Sequence, residues 1–162
     1  MRYKYYDFIT AANWCIQNNY ELEQALAWMD RAIYFRIMGE KNFRTLSTKA
    51  AVLMKMNRVA EAKKVMEEAV PMGQTIEVHF YGRQLLSMKE TDEAMKVFKG
   101  NYDKAPNEFT TNIGMGRGYS AKGDYKNALK YVRAALAQAP DERNKVNVEA
   151  MIKKLEEKQD IN

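Results

Sequence analysis

Nucleophilic catalysis needs a nucleophile, a base that activates it and a group that orients the base. This chain offers one cysteine and one histidine, Cys15 and His79, far apart in the sequence. A Cys/His pair is therefore not expected. Cys15 sits among apolar residues at helical spacing and reads as a small core residue. Alone, it forms no intramolecular disulfide and no thiolate metal cluster. There is no HxxxH, no CxxC and no EF-hand loop to hold a metal. The run Gly114-Met115-Gly116-Arg117-Gly118 superficially suggests a phosphate cradle. Such a cradle follows a strand and opens a helix, so that helix N-terminal amides face the phosphate. These glycines instead lie inside a helical segment, and the third comes too early for GxGxxG. Close helix packing accounts for them better. The expectation is a protein that is not an enzyme, with no catalytic residue, cofactor or metal.

Charge leaves binding as the remaining chemistry. The chain has 26 Lys+Arg against 21 Asp+Glu, a net charge of +5 over 162 residues. The excess is spread: residues 1–81 carry 11 basic and 9 acidic side chains, residues 82–162 carry 15 and 12. This suits solubility and a mild preference for acidic partners. Nucleic-acid binders concentrate their charge, and no block of five or six basic residues occurs here. No apolar run approaches the roughly 20 residues that span a bilayer. The first residues, MRYKYYDFITAANW, lack the continuous apolar stretch of a signal peptide.

The elements that must position any binding residue are helices. Three prolines, eight glycines and a composition rich in Ala, Lys, Glu and Met favour helix, and no alternating strands flank an Asn-Gly or Asp-Gly turn. The clearest unit is 107–140. Its first helix carries Gly114, Gly116 and Gly118 where a partner must come close. Lys122-Gly123-Asp124-Tyr125 makes a turn, and the second helix repeats Ala128, Leu129, Val132, Ala135 and Leu136 before Pro140.

Ala128 has counterparts at Ala94, Ala62 and Ala25, spaced by 34, 32 and 37 residues. Four residues after each comes a larger apolar side chain: Val132, Phe98, Met66 and Met29. Three further on lies Ala135, Ala69 or Ala32, with Asn101 as the exception. Pro140 and Pro106 repeat at 34, and Lys89 and Asn57 stand where Gly123 makes the turn. This pattern resembles the tetratricopeptide repeat, a helix–turn–helix unit with a period of about 34 residues, over residues 6 to 140. The resemblance implies an all-α, right-handed superhelix of about four helix pairs. Repeats fall at about 6–39, 42–73, 75–107 and 108–140, and 1–162 is read as a single domain. First helices are expected over 5–18, 42–56, 74–88 and 108–121, and second helices over 21–37, 58–70, 91–103 and 124–138. After Pro140, Asp141 is an expected N-cap. Val148, Met151, Ile152 and Leu155 form the stripe of a capping helix over about 141–158. Gln159 to Asn162 are expected to fray.

First helices of such arrays line a concave groove, and the resemblance implies the same here. By helical spacing the groove positions are Thr10, Trp14 and Gln17, then Arg44, Ser47, Thr48, Ala51 and Lys55. His79, Phe80 and Arg83 follow, then Thr110, Ile113 and Arg117. Arg83 and Arg117 are equivalent in successive units and suit a carboxylate through bidentate hydrogen bonds. Trp14 and Phe80 suit apolar anchoring. The plainer readings stand beside these. The arginines can pair with neighbouring acids, Trp14 can be repeat core, His79 can be a wall residue, and Trp28, Tyr34 and Phe35 can pack between units. The family variant that grips C-terminal carboxylates uses a Lys/Asn clamp. Thr10, Trp14 and Thr48 stand in its place, which disfavours a chaperone-tail cochaperone.

The expected function is a non-catalytic interaction module holding a peptide segment or partner domain in the groove, an acidic one among the candidates. The alternative is a spacer or dimerisation tail of a larger protein, a homodimer built on Tyr3, Tyr5, Tyr6 and Phe8 and on the Trp28–Phe35 face. RNA binding is the weakest expectation. Residues 11–33 and 49–70 also resemble the helical tail of secreted bacterial envelope proteins of unknown function. That resemblance implies the periplasm if the chain is a fragment, and otherwise the cytoplasm.

Overall fold

The computed structural model describes residues 5–37 and 39–162. Tyr3, part of the aromatic cluster expected at the start, lies outside them. The described residues form nine α-helices and no strand. In order these are α1 (Tyr5–Asn18), α2 (Leu22–Tyr34), α3 (Phe43–Lys55) and α4 (Val59–Ala69). A single 3-10 turn (Val70–Met72) precedes α5 (Thr75–Ser87), α6 (Thr91–Lys104), α7 (Phe109–Ala121), α8 (Tyr125–Leu136) and α9 (Glu142–Glu156).

Local chemistry sets these boundaries. Asn42 opens α3 with a capping box, its side chain accepting from the Thr45 N–H while Thr45 Oγ1 accepts from the Asn42 N–H. Gln74 and Glu77 form the corresponding box on α5. Asp141 caps α9 by accepting the Asn144 N–H at 2.8 Å. Each box satisfies amides that a helix start leaves without a partner. The expected extension of α2 to residue 37 does not form. Phe35 turns extended, and the Glu40 N–H closes back on the Ala32 carbonyl at 2.8 Å. Ile33 is the last buried residue of α2, while Tyr34, Phe35 and Ile37 are exposed, so further helix would bury no apolar side chain. Asn57, Lys89 and Gly123 all take positive φ (61°, 62° and 75°) in the turns after α3, α5 and α7. The turn geometry repeats even where glycine does not.

The chain divides into two compact units, one ending at Gly73 and the other spanning Gln74–Asn162. In the first, α1 packs on α2, α3 on α4, and α3 also rests against both α1 and α2. Ile9, Ala12, Cys15, Ala25, Met29, Ala32 and Val52 form its buried cluster. In the second unit, α5 pairs with α6 and α7 with α8, while α7 lies against both α5 and α6, and α9 covers α8. Within each unit the first helices of the two pairs are therefore side by side, as in tetratricopeptide-like stacks.

The ring of Phe98 is the wedge of the second unit. It is 1 % exposed and sits on the bare backbones of Gly82 in α5 and Gly114 in α7. A Cβ at Gly114 would stand 2.8 Å from Phe98 Cδ1, and one at Gly82 2.7 Å from Cζ. Gly116 is likewise closed off by Val132. These glycines destabilise an isolated helix by up to about 1 kcal/mol each relative to alanine, a loss offset by dense packing of the aromatic ring. The exceptional Asn101, where the other units have alanine, is buried and donates to the Thr75 carbonyl at 2.8 Å, tying α6 to the start of α5.

Candidate functional site

Contact between α5 and α7 brings together three of the expected groove residues: His79, Arg83 and Arg117. His79 is 6 % exposed, its ring 5.7 Å from that of Phe98, and its Nδ1 has no hydrogen-bond partner among the described atoms. Burial, then the charges of Arg117 and Arg83, push its pKa down to about 4, so the imidazole is neutral at pH 7. Arg117 is partly buried. Desolvation, then Arg83, bring its pKa down to about 10, while Asp160 acts in the opposite direction. Arg83 itself is exposed and makes no salt bridge among the described residues. Phe80 is 57 % exposed beside them, edge-on to the His79 ring. The face thus combines positive charge, an exposed aromatic ring and one nearby carboxylate.

That carboxylate comes from residues expected to fray. They do not: Ile161 is buried to 7 % exposure in a cluster that includes Ile113 and Leu155. The Ser120 hydroxyl donates to Asp160 Oδ1 at 2.6 Å and accepts the Ile161 N–H at 3.1 Å. Arg117 donates to the Ile161 carbonyl at 2.9 Å, and the Asn162 amide donates to the Arg117 carbonyl at 3.1 Å. Burying an aliphatic side chain and pairing the backbone around it outweigh the entropy cost of ordering these residues. Ser120 was not among the expected site residues, although it lies three positions beyond Arg117 on the same helical face. The isolated aliphatic Ile161 in a polar stretch was the only sequence signal for the tail.

The other expected residues lie in the first unit. Trp14, on α1, is 55 % exposed, its ring edge-on to Tyr20 at 5.9 Å between centroids. With Ala11, Cys15, Tyr20, Glu21, Gln24 and Trp28 it lines a shallow cavity of about 410 Å³. Arg44 and Lys55, both on α3, are exposed, and the Arg44 guanidinium lies over the Tyr6 ring at 5.4 Å. Thr48 is buried, its hydroxyl spent on the Arg44 carbonyl. Cys15 is buried, and no group of three or more His, Cys, Asp or Glu residues able to hold a metal occurs among the described residues. No helix among them is long and apolar enough to cross a membrane.

A search of curated proteins found no match to this sequence. The family model of the tetratricopeptide repeat matches residues 111–142. That stretch takes in most of α7, all of α8 and the first residue of α9, and so carries Arg117 and Ser120. The chain therefore contains a hairpin similar to the tetratricopeptide repeat, a fold generally non-catalytic and suited to protein–protein interaction.

Proposed function

We propose that this protein is a non-catalytic interaction module whose face on α5 and α7 takes an acidic peptide segment. The observation that supports this is the convergence of Arg83 and Arg117 beside a neutral His79, with Asp160 as the acidic side chain that acts on Arg117. A guanidinium that is partly buried and under-compensated gains from a second carboxylate, and Arg holds carboxylates in a planar, two-bond geometry. Phe80 supplies the apolar contact that charge alone lacks. Trp14, Arg44 and Lys55 are proposed as a separate contact surface on the first unit. Residues 1–162 are taken as one domain, for which a single cooperative unfolding transition is the check.

Peptide display against the immobilised chain tests the face directly. Enrichment of Asp- or Glu-containing sequences, lost on Arg83→Glu with unchanged helicity, supports the reading. Enrichment indifferent to Arg83→Glu refutes it. A second reading, dimerisation, is favoured by the exposed Tyr34, Phe35 and Ile37 just beyond the buried part of α2. Light scattering separates the two, because a monomer mass independent of concentration rules out the dimer.

A further inference from the structure

The seat of the C-terminal segment has the form of a peptide complex built in cis. Helix α9 stops in a Schellman turn: Lys158 takes a left-handed φ of 55°, its N–H bonds to Leu155 and that of Gln159 to Lys154. The turn throws the chain back across α7. There the segment presents an acidic side chain, a β-branched aliphatic and a carboxamide in succession, Asp160, Ile161 and Asn162. Each meets a complementary group. Asp160 takes the Ser120 hydroxyl, Ile161 enters the cluster containing Ile113, and Asn162 bonds the α7 backbone. Ile161 is held at both ends of its peptide unit, by Ser120 at N–H and Arg117 at C=O. Backbone pairing plus one side-chain pocket is how proteins commonly grip extended peptides.

Ile113 and Arg117 are also positions that a groove reading assigns to ligand contact. We propose that this seat is a ligand site whose resident is the chain's own Asp160–Asn162, and that it exchanges this tail for a partner segment of the same acidic–aliphatic–amide chemistry. The inference rests on the interaction-module reading above and deepens it by stating the ligand. Only one aliphatic side chain is buried in the seat, and segments with so little buried apolar surface open readily. Tethering nevertheless gives the tail an effective concentration on the order of millimolar, so it acts as a threshold that a partner must exceed.

Fluorescence anisotropy on the full chain tests this with a labelled peptide copying residues 156–162. The double variant Asp160→Ala, Ile161→Ser weakens the hold of the resident segment, removing its bond from Ser120 and its buried aliphatic side chain, without touching α7. The peptide is expected to bind this variant at least tenfold more tightly than the unsubstituted chain, and adding Arg117→Met is expected to abolish the gain. Hexaglutamate, titrated in parallel, reports the acidic-face reading by itself. Equal peptide affinity for both chains overturns the competition. Absence of peptide binding to a variant of unchanged helicity overturns the ligand assignment, and the acidic face survives that result only if hexaglutamate binds in an Arg83-dependent way. Hydrogen exchange at the Ile161 amide of the unsubstituted chain gives a second measurement. Excess unlabelled peptide should accelerate it at least tenfold, and an unchanged rate overturns the exchange.

Discussion

Glycine-to-alanine substitution at two positions of the same helix pair should shift stability in opposite directions. Gly100 lies within α6 with open space around it: a Cβ there would meet nothing within 4 Å. Alanine should stabilise by about 1 kcal/mol from helix propensity alone. Gly82 has the same propensity to gain, but its Cβ would fall 2.7 Å from Phe98 Cζ and 2.8 Å from Cδ1. Carbon atoms sit comfortably at about 3.5–4.0 Å, so roughly an ångström of motion is required. The ring has little room to give it. Its far side is bounded by α7, where Cβ atoms at Gly114 and Gly118 would stand 2.8 and 3.3 Å from Cδ1 and Cδ2. Overpacking a site of this kind costs about 1–3 kcal/mol. Since the ring is enclosed on both sides, the upper half of that range applies. The net expectation for Gly82→Ala is a loss of about 1–2 kcal/mol.

Urea unfolding followed by far-ultraviolet circular dichroism measures both variants on one scale. A double-mutant cycle then isolates the cause. In a Phe98→Leu background the penalty of Gly82→Ala should shrink by at least about 1 kcal/mol, because leucine has no counterpart of the ring atoms Cε1 and Cζ that the new Cβ strikes. If Gly82→Ala stabilises as Gly100→Ala does, the glycine–ring wedge is wrong. The side-by-side placement of His79, Arg83 and Arg117 then loses its structural basis too.

Other perturbations read different parts of the molecule. Lys89→Gly should stabilise by about 0.5–1 kcal/mol, since a left-handed conformation costs an L-residue about 1–2 kcal/mol and glycine returns part of that as chain entropy; a destabilised variant in urea unfolding would contradict this. His79 binds its proton less tightly in the folded chain (pKa about 4) than when unfolded (about 6.5). The unfolded state therefore takes up more protons between these values, and stability should fall as pH drops from about 6.5 to about 4. His79→Gln should flatten that part of the unfolding profile, and an unchanged slope would assign it to other groups. Arg117→Met removes a partly desolvated charge together with its bond to Ile161. Stability should change by no more than about 1 kcal/mol, while binding of acidic peptide is lost; unfolding by more than about 3 kcal/mol would make Arg117 structural. Lys41 and Glu68 form an exposed ion pair on the first unit. Its contribution is small and screened, so 0.5 M salt should leave stability at neutral pH nearly unchanged, and a large salt effect would require another source.

Much of the fold was legible because helical periodicity and punctuation are local properties. Ala25, Ala62, Ala94 and Ala128, expected as anchors of the second helices, are all buried. Capping by Asp141 could be read from one residue and its neighbours. The expected helix over 21–37 overran because Tyr34, Phe35 and Ile37 look apolar in sequence, whereas whether they bury anything depends on what lies opposite. The candidate site was less legible. The spacing of Trp14 suits core and anchor alike, and the structure leaves it exposed and edge-on to Tyr20.

The sequence by itself determined that the chain forms helix hairpins of tetratricopeptide-like period, because turn residues, caps and 3.6-residue stripes act over a few neighbours. It also determined that Arg83 and Arg117 occupy equivalent places in successive hairpins. Only the tertiary structure decided that these arginines share one field with a buried neutral His79. Only it showed that Asp160, Ile161 and Asn162 return to α7, forty residues or more from their partners in the chain. Such pairings depend on where Lys158 turns the backbone and on which surface lies in its path. Desolvation and charge proximity are properties of that assembled surface, and no local pattern encodes them.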